Sequence, residues 1–160
     1  MENLLIKVYK NRKLSSFLSI FCHATSLTIA VFFFLVIGIK IYDGQYLAAV
    51  MISVASAVGF VTVTLLRRLI DAPRPYELYT FYEKLPKKKS GKSFPSRHAY
   101  SAFAIATLSF SVSLPLGVVL LILAFLMCAS RVLMGIHFIR DVAAGGLIGA
   151  LSAVIGLLLI

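Results

Sequence analysis

Carboxylates, cysteine and long polar stretches are scarce in this chain, and tryptophan is absent. Its six Asp and Glu, three His and two Cys are scattered over 160 residues. They form no cluster able to complete a metal shell, so neither a metal site nor a cofactor is expected. Cys22 and Cys128 lie in apolar runs and read as buried small hydrophobes, because two cysteines make no disulfide framework. There is no internal repeat and no low-complexity tract. No base-stacking motif or soluble basic module is present, which argues against a nucleic-acid partner despite the formal charge of +10. No cleavable leader is expected: Met1 to Lys13 is too polar, and the apolar run after it is long enough to span.

What is present is hydrocarbon. The chain is 60% hydrophobic with a mean hydropathy of +0.96, which excludes an ordinary soluble domain. Its length allows one membrane-embedded domain over residues 1–160. The expected fold class is all-α, an integral-membrane bundle of about five spans. Residues 1–14 alternate apolar positions with Lys7, Lys10, Arg12 and Lys13, the pattern of a short amphipathic helix on the bilayer surface. The spans are expected at Ser16–Ile41, Gln45–Leu66, Arg97–Leu114, Leu116–Ala129 and Phe138–Ile160. Small residues in the second span and Gly145, Gly146 and Gly149 in the last suit close helix packing in lipid. His23, alone in the first span, is expected to bond a neighbouring helix. Residues 70–95 form the interfacial loop between spans two and three, broken by Pro73, Pro75, Pro86 and Gly91. Tyr76, Tyr79, Phe81 and Tyr82 suit the membrane interface. Lys84, Lys87, Lys88, Lys89 and Lys92 read as a solvated charge run, the alternative being attraction of anionic lipid toward the site.

Chemistry concentrates in three stretches. One is Ser130-Arg131 followed by His137 and Asp141; a carboxylate four residues after a histidine shares its helical face. Such a pair holds one ring nitrogen protonated and leaves the other free to attack. The second is Arg67 to Arg74-Pro75, and the third is Pro95-Ser96-Arg97-His98. Together they hold a nucleophile, an acid for a leaving oxygen and cations for charged oxygens, as phosphoryl transfer through a phosphohistidine requires. The spans place all three stretches on one membrane face.

These stretches resemble the three signature motifs of the type 2 phosphatidic acid phosphatase superfamily, which includes vanadium haloperoxidases and glucose-6-phosphatase. Against Lys-x6-Arg-Pro, the chain has Arg67-x6-Arg74-Pro75, with Arg for Lys. Against Pro-Ser-Gly-His it has Pro95-Ser96-Arg97-His98, with Arg97 for Gly. The third motif, Ser-Arg-x5-His-x3-Asp, is complete from Ser130 to Asp141. The resemblance covers Arg67 to Asp141 and implies a metal-independent membrane enzyme acting on a lipid phosphate or diphosphate. Polyprenyl diphosphate, phosphatidylglycerol phosphate and phosphatidic acid are the implied substrates. It implies His137 as nucleophile, Asp141 as its orienting carboxylate and His98 as acid and then base. Arg67, Arg74, Ser96, Arg97 and Arg131 would hold phosphate, while Arg68 reads as an interfacial arginine. Transfer to a second lipid, or non-catalytic binding or transport of an anionic lipid, are the other readings. A vanadium peroxidase is disfavoured, because those relatives are soluble.

With five spans the amino terminus shares the face of the motifs. That face carries Lys7, Lys10, Arg12, Lys13 and the loop lysines, whereas the opposite face has Lys40. The bias of lysine and arginine toward the cytoplasm places the motifs on the cytoplasmic side of the cell membrane. In a background lacking Cys22 and Cys128, an impermeant thiol reagent on intact cells is expected to label Asp43→Cys and to spare Lys88→Cys. The opposite pattern places the motifs outside.

Overall fold

A computed structural model describes residues 2–78 and 91–160. Tyr79, Phe81, Tyr82, Lys84, Pro86, Lys87, Lys88 and Lys89 therefore lie outside the described residues. Among the described residues the chain is helical, without strands: α1 (Glu2–Lys10), α2 (Arg12–Tyr42), α3 (Tyr46–Ile70), α4 (Pro75–Leu78), α5 (Arg97–Ser109), α6 (Leu114–Leu133) and α7 (Ile139–Leu158). Four of these helices, α2, α3, α6 and α7, are long and apolar enough to cross a bilayer. Their large apolar side chains face outward: Ile20 is 70% exposed and Phe34 73%. In water such a surface would aggregate; in lipid it is solvated, and the helices satisfy their own backbone groups.

The third expected span is shorter than its sequence suggests. Helix α5 ends at Ser109, and a turn leads to Ser113, whose hydroxyl caps α6. Pro115 falls in the first turn of α6 rather than in the connection. There its missing N–H costs no hydrogen bond. At 13 residues and 1.5 Å rise, α5 extends only about 20 Å. It packs against α2, α3, α6 and α7, and Ala99, Ala102 and Ala106 on it are buried.

Glycine makes the tightest of these contacts possible. A Cβ on Gly145 would strike the Ser96 carbonyl, and one on Gly149 would strike the Tyr100 carbonyl. Helix α7 can therefore lie directly on the backbone of α5, the close approach that small residues permit in membranes. At the far end, the Lys40 ammonium donates to the Gln45 amide oxygen (3.1 Å) and to the Ser111 carbonyl (3.3 Å). It joins the α2–α3 turn to the α5–α6 turn. At the other end, α1 packs against α2 and α6, so the amino terminus sits with the α6–α7 connection.

His23 is exposed, and its Nδ1 lies 2.7 Å from the Ser19 carbonyl of its own helix. The bond to a neighbouring helix expected for it is replaced by one within α2. Cys22 and Cys128 are buried free thiols.

Gly149→Ala is expected to destabilise the bundle by about 1–3 kcal/mol, as overpacking does. Gly38→Ala, where an added Cβ meets nothing within 4 Å, is expected to be neutral or stabilising. Thermal unfolding of both variants in detergent checks the contrast.

Candidate active site

The segment between α6 and α7 turns sharply at Gly135, in the left-handed region at φ 66°. The turn delivers His137 to the start of α7. Asp141 stands in the first turn of that helix, and its Oδ2 accepts from the Phe138 amide at 2.9 Å. This is a carboxylate cap at the positive end of a helix. The same Oδ2 lies 3.5 Å from His137 Nδ1, with both side chains almost fully buried. The ring thus turns Nδ1 to the carboxylate and Nε2 away from it.

Ser93 was not singled out from the sequence, yet it sits within this pair. Its buried hydroxyl donates to Asp141 Oδ2 at 2.5 Å and lies 3.3 Å from His137 Nδ1. Nothing in its loop setting distinguishes it from an ordinary turn serine. The signal is its place three residues before Ser96, which the backbone pins to α7.

The second motif is fixed to the third through the main chain. The Ser96 amide donates to the Asp141 carbonyl at 2.9 Å. The Ser96 hydroxyl accepts weakly from the Ala99 amide at 3.4 Å and caps α5. His98 follows in the first turn of α5, where it is exposed and lines a cavity with Ser26, Ser101, Ile105 and Met127. It is close enough to Arg131 and His137 to be influenced by their charge.

The arginines come from three directions. Arg67 ends α3 facing inward, and its guanidinium donates to the Pro95 carbonyl at 3.3 Å. Its neighbour Arg68 faces outward. Arg74 Nε donates to the Gly91 carbonyl at 3.0 Å, and its guanidinium lies over the Tyr76 ring. Arg131 lies in the last turn of α6 beside Cys22, and its Nε has no hydrogen-bond partner. Arg67, Arg74 and Arg131 are each at most 9% exposed. Among the described residues, none has a carboxylate within ion-pair distance; the ion pairs there join Asp141 to His137 and to Arg140. Arg97 takes a different course. It is half-buried, and its guanidinium stacks over Phe60 on α3 at 5.8 Å.

The two ends of the interfacial loop are tied together beneath these groups. Glu77 accepts from the Arg74 and Gly91 amides, Asp71 from the Lys92 amide, and the Ala72 carbonyl from the Ser93 amide. Among the described residues, no three His, Cys, Asp or Glu side chains group as a metal shell would require.

The fold and this cluster define a multi-pass membrane protein with a buried, cationic, histidine-bearing site at one end of the bundle. The family model of the PAP2 superfamily matches residues 46–160, and the chain belongs to that superfamily. A relative named bacitracin transport permease protein BcrC, from Bacillus licheniformis, is 31% identical over 126 residues. The match covers 76% of this chain and 62% of that protein, so the chain spans less than two thirds of its length. The crystal structure of Aquifex aeolicus LpxE is similar at a TM-score of 0.75 and 30% identity, covering 96% of this chain and 90% of that one. A PAP2 type phosphatidylglycerolphosphate phosphatase from Bacillus subtilis shares the fold at a TM-score of 0.67 and 20% identity, over 93% of this chain and 76% of that one.

Burial lowers the pKa of His137 below its ordinary 6.5; Arg74, Arg131 and Arg67 push the same way, and the neighbouring Asp141 carboxylate opposes them. The ring is therefore neutral at a pH where an exposed histidine is half-protonated. Its NMR titration midpoint is expected below 6.5. Asp141→Asn, which removes the opposing charge, is expected to move it lower still.

Proposed function

We propose that this protein is an integral-membrane phosphatase that hydrolyses a phosphomonoester or diphosphate on a lipid through a phosphohistidine at His137. The observation that carries the reading is the group of three buried arginines, Arg67, Arg74 and Arg131, without a carboxylate partner among the described residues and beside a buried histidine. Uncompensated buried cations are costly. An anionic phosphoryl group supplies the missing countercharge, and guanidinium forks match its oxygens.

His137 Nε2 attacks phosphorus, forming an N–P bond as the bond to the lipid oxygen breaks. His98 gives that oxygen a proton and then takes one from water, whose attack on the phosphohistidine releases phosphate and restores His137. A proton donor in such a position contributes about 10² to 10⁴ in rate. Asp141 stabilises the imidazolium that forms. Arg67, Arg74 and Arg131 clamp the phosphate. The start of α5 at Ser96 turns amides toward it, and the Ser96 hydroxyl keeps that helix end in place. Arg97, stacked on Phe60, flanks the clamp and adds to its positive field. With arginines as the cationic clamp, the reaction needs no metal and no cofactor.

The substrate sits where apolar space meets the charged site. The cavity at His98 has a volume of about 230 Å³. A second, of about 290 Å³, shares Ser101 and Ile105 with it. A lipid tail placed along this face of α5 brings its phosphate to His98. Polyprenyl diphosphate, phosphatidylglycerol phosphate and phosphatidic acid all meet that description. The protein acts in the cell membrane, with the site on the cytoplasmic face.

The name of the BcrC relative favours comparison with a transport reading. Binding or transport alone has no use for a nucleophile paired with an acid, and one experiment separates the two. Detergent-purified protein is expected to release phosphate from at least one lipid of a phosphate and diphosphate panel, equally with and without EDTA. His137→Ala is expected to abolish release in a folded protein, and His98→Ala to slow it while sparing vanadate binding. Lipid binding without phosphate release by the wild type would overturn the proposal, and rescue by a divalent ion would overturn its metal independence.

A further inference from the structure

We propose that Ser93 is a positioning residue that couples Asp141 to His137 and fixes which ring nitrogen attacks. The proposal rests on the reading of His137 as the nucleophile and adds a member that the three motifs do not contain.

Geometry carries the argument. The direct His137 Nδ1 to Asp141 Oδ2 separation is 3.5 Å, beyond the 2.7–3.2 Å of a good N–H···O hydrogen bond. The Ser93 hydroxyl lies closer to that nitrogen, at 3.3 Å, a long contact just outside the same range, and its hydrogen bond to Asp141 Oδ2 is short, at 2.5 Å. Serine, histidine and aspartate are all nearly inaccessible, at 0%, 2% and 0% exposure. Their polar atoms therefore depend on local partners; Asp141 Oδ1 has no hydrogen bond and faces Arg140 Nε at 3.7 Å.

A hydroxyl has one proton to give. Ser93 gives it to the carboxylate, which has none to return. Only an oxygen lone pair is left to face His137 Nδ1, and a lone pair is satisfied only if Nδ1 carries hydrogen. The chain of donors then runs from Nδ1–H to the Ser93 oxygen, and from the Ser93 O–H to Asp141. A neutral imidazole holding its proton on Nδ1 has its lone pair on Nε2. Attack forms the Nε2–P bond and breaks the P–O bond, and His98 protonates the leaving oxygen. The Nδ1 proton stays in place throughout. The positive charge that develops on the ring is relayed through Ser93 to Asp141.

Ser93 is itself held by the chain. Its amide donates to the Ala72 carbonyl at 2.9 Å, next to the Asp71–Lys92 contact that closes the loop. The start of the first motif loop thereby sets the height of the hydroxyl between histidine and aspartate.

The test is Ser93→Ala, with Ser93→Thr as the variant that keeps the hydroxyl. By analogy with the outer partners of metal-bound histidines, whose loss costs about 10- to 100-fold, a loss of that order is expected in kcat with KM little changed. Ser93→Thr is expected to recover most of it. The decisive readout needs no turnover: the nitrogen-15 shifts of His137, assigned by comparison with His137→Ala. Wild type is expected to show the Nδ1–H tautomer and Ser93→Ala a mixture containing Nε2–H. An unchanged tautomer in Ser93→Ala overturns the proposal, as does a wild-type kcat. If His137→Ala retains activity, the nucleophile reading fails. The tautomer measurement still reports separately on the Ser93 coupling.

Discussion

A fully buried carboxylate organises this end of the bundle. Asp141 has no exposed surface, and moving a carboxylate out of water carries a net penalty of several kcal/mol. Two donors reach its Oδ2, the Phe138 amide and the Ser93 hydroxyl. Hydrogen bonds to a charged group return roughly 1.5–3 kcal/mol each, so the pair offsets much of the penalty. The same residue's backbone carbonyl receives the Ser96 amide. One position therefore caps α7, orders the loop before α5 and fixes the histidine ring. Removing the charge would loosen the cap, the Ser93 contact and the histidine ring, while the main-chain bond from Ser96 to Asp141 still joins the second motif to the third.

The arginines pull the other way. Arg67, Arg74 and Arg131 are buried near one another, and the groups described beside their guanidiniums are neutral: the Pro95 carbonyl, the Gly91 carbonyl and the Cys22 thiol. Neutral acceptors orient a guanidinium without cancelling its charge. A carboxylate in any of these places would stabilise the fold and compete with an anionic ligand. The site has the character of a local rule broken for function, with the stability supplied by packing elsewhere. Cys22, whose sequence setting marks it only as a small hydrophobe, is one of these neutral supports.

Long apolar runs made most of the fold readable, because a 20-residue hydrophobic stretch has few alternatives to a spanning helix. Counting those runs placed the three motifs on one face, and the spacing of His137 and Asp141 implied their contact. The break between α5 and α6 was marked by Pro115, but a few residues past the observed turn, because that proline sits in the first turn of α6. The run from Ala99 to Leu116 carries no charge, and the turn within it is set by packing, with Phe110 lying where a side chain on Gly117 would be. Ser93 was hidden for another reason. Its importance comes from the Ala72 and Asp141 contacts, which join distant parts of the chain. The direction of Arg97 was equally hidden, since the choice between the phosphate clamp and the Phe60 ring depends on how α3 lies against α5.

The short α5 has a consequence for how deep the chemistry sits. Its far end is tied to the α2–α3 turn through Lys40 and the Ser111 carbonyl, which fixes it near the opposite membrane face. A hydrocarbon core is about 30 Å thick, whereas thirteen residues of helix rise only about 20 Å. Helix α5 is therefore shorter than that core, and Ser96 at its near end is buried within the bundle. Irregular backbone such as residues 91–96 survives at that depth because protein, not lipid, surrounds it. Charge interactions there act through a lower effective dielectric than at the surface. Under the proposed function, a phosphate held by the buried arginines gains from that lower dielectric.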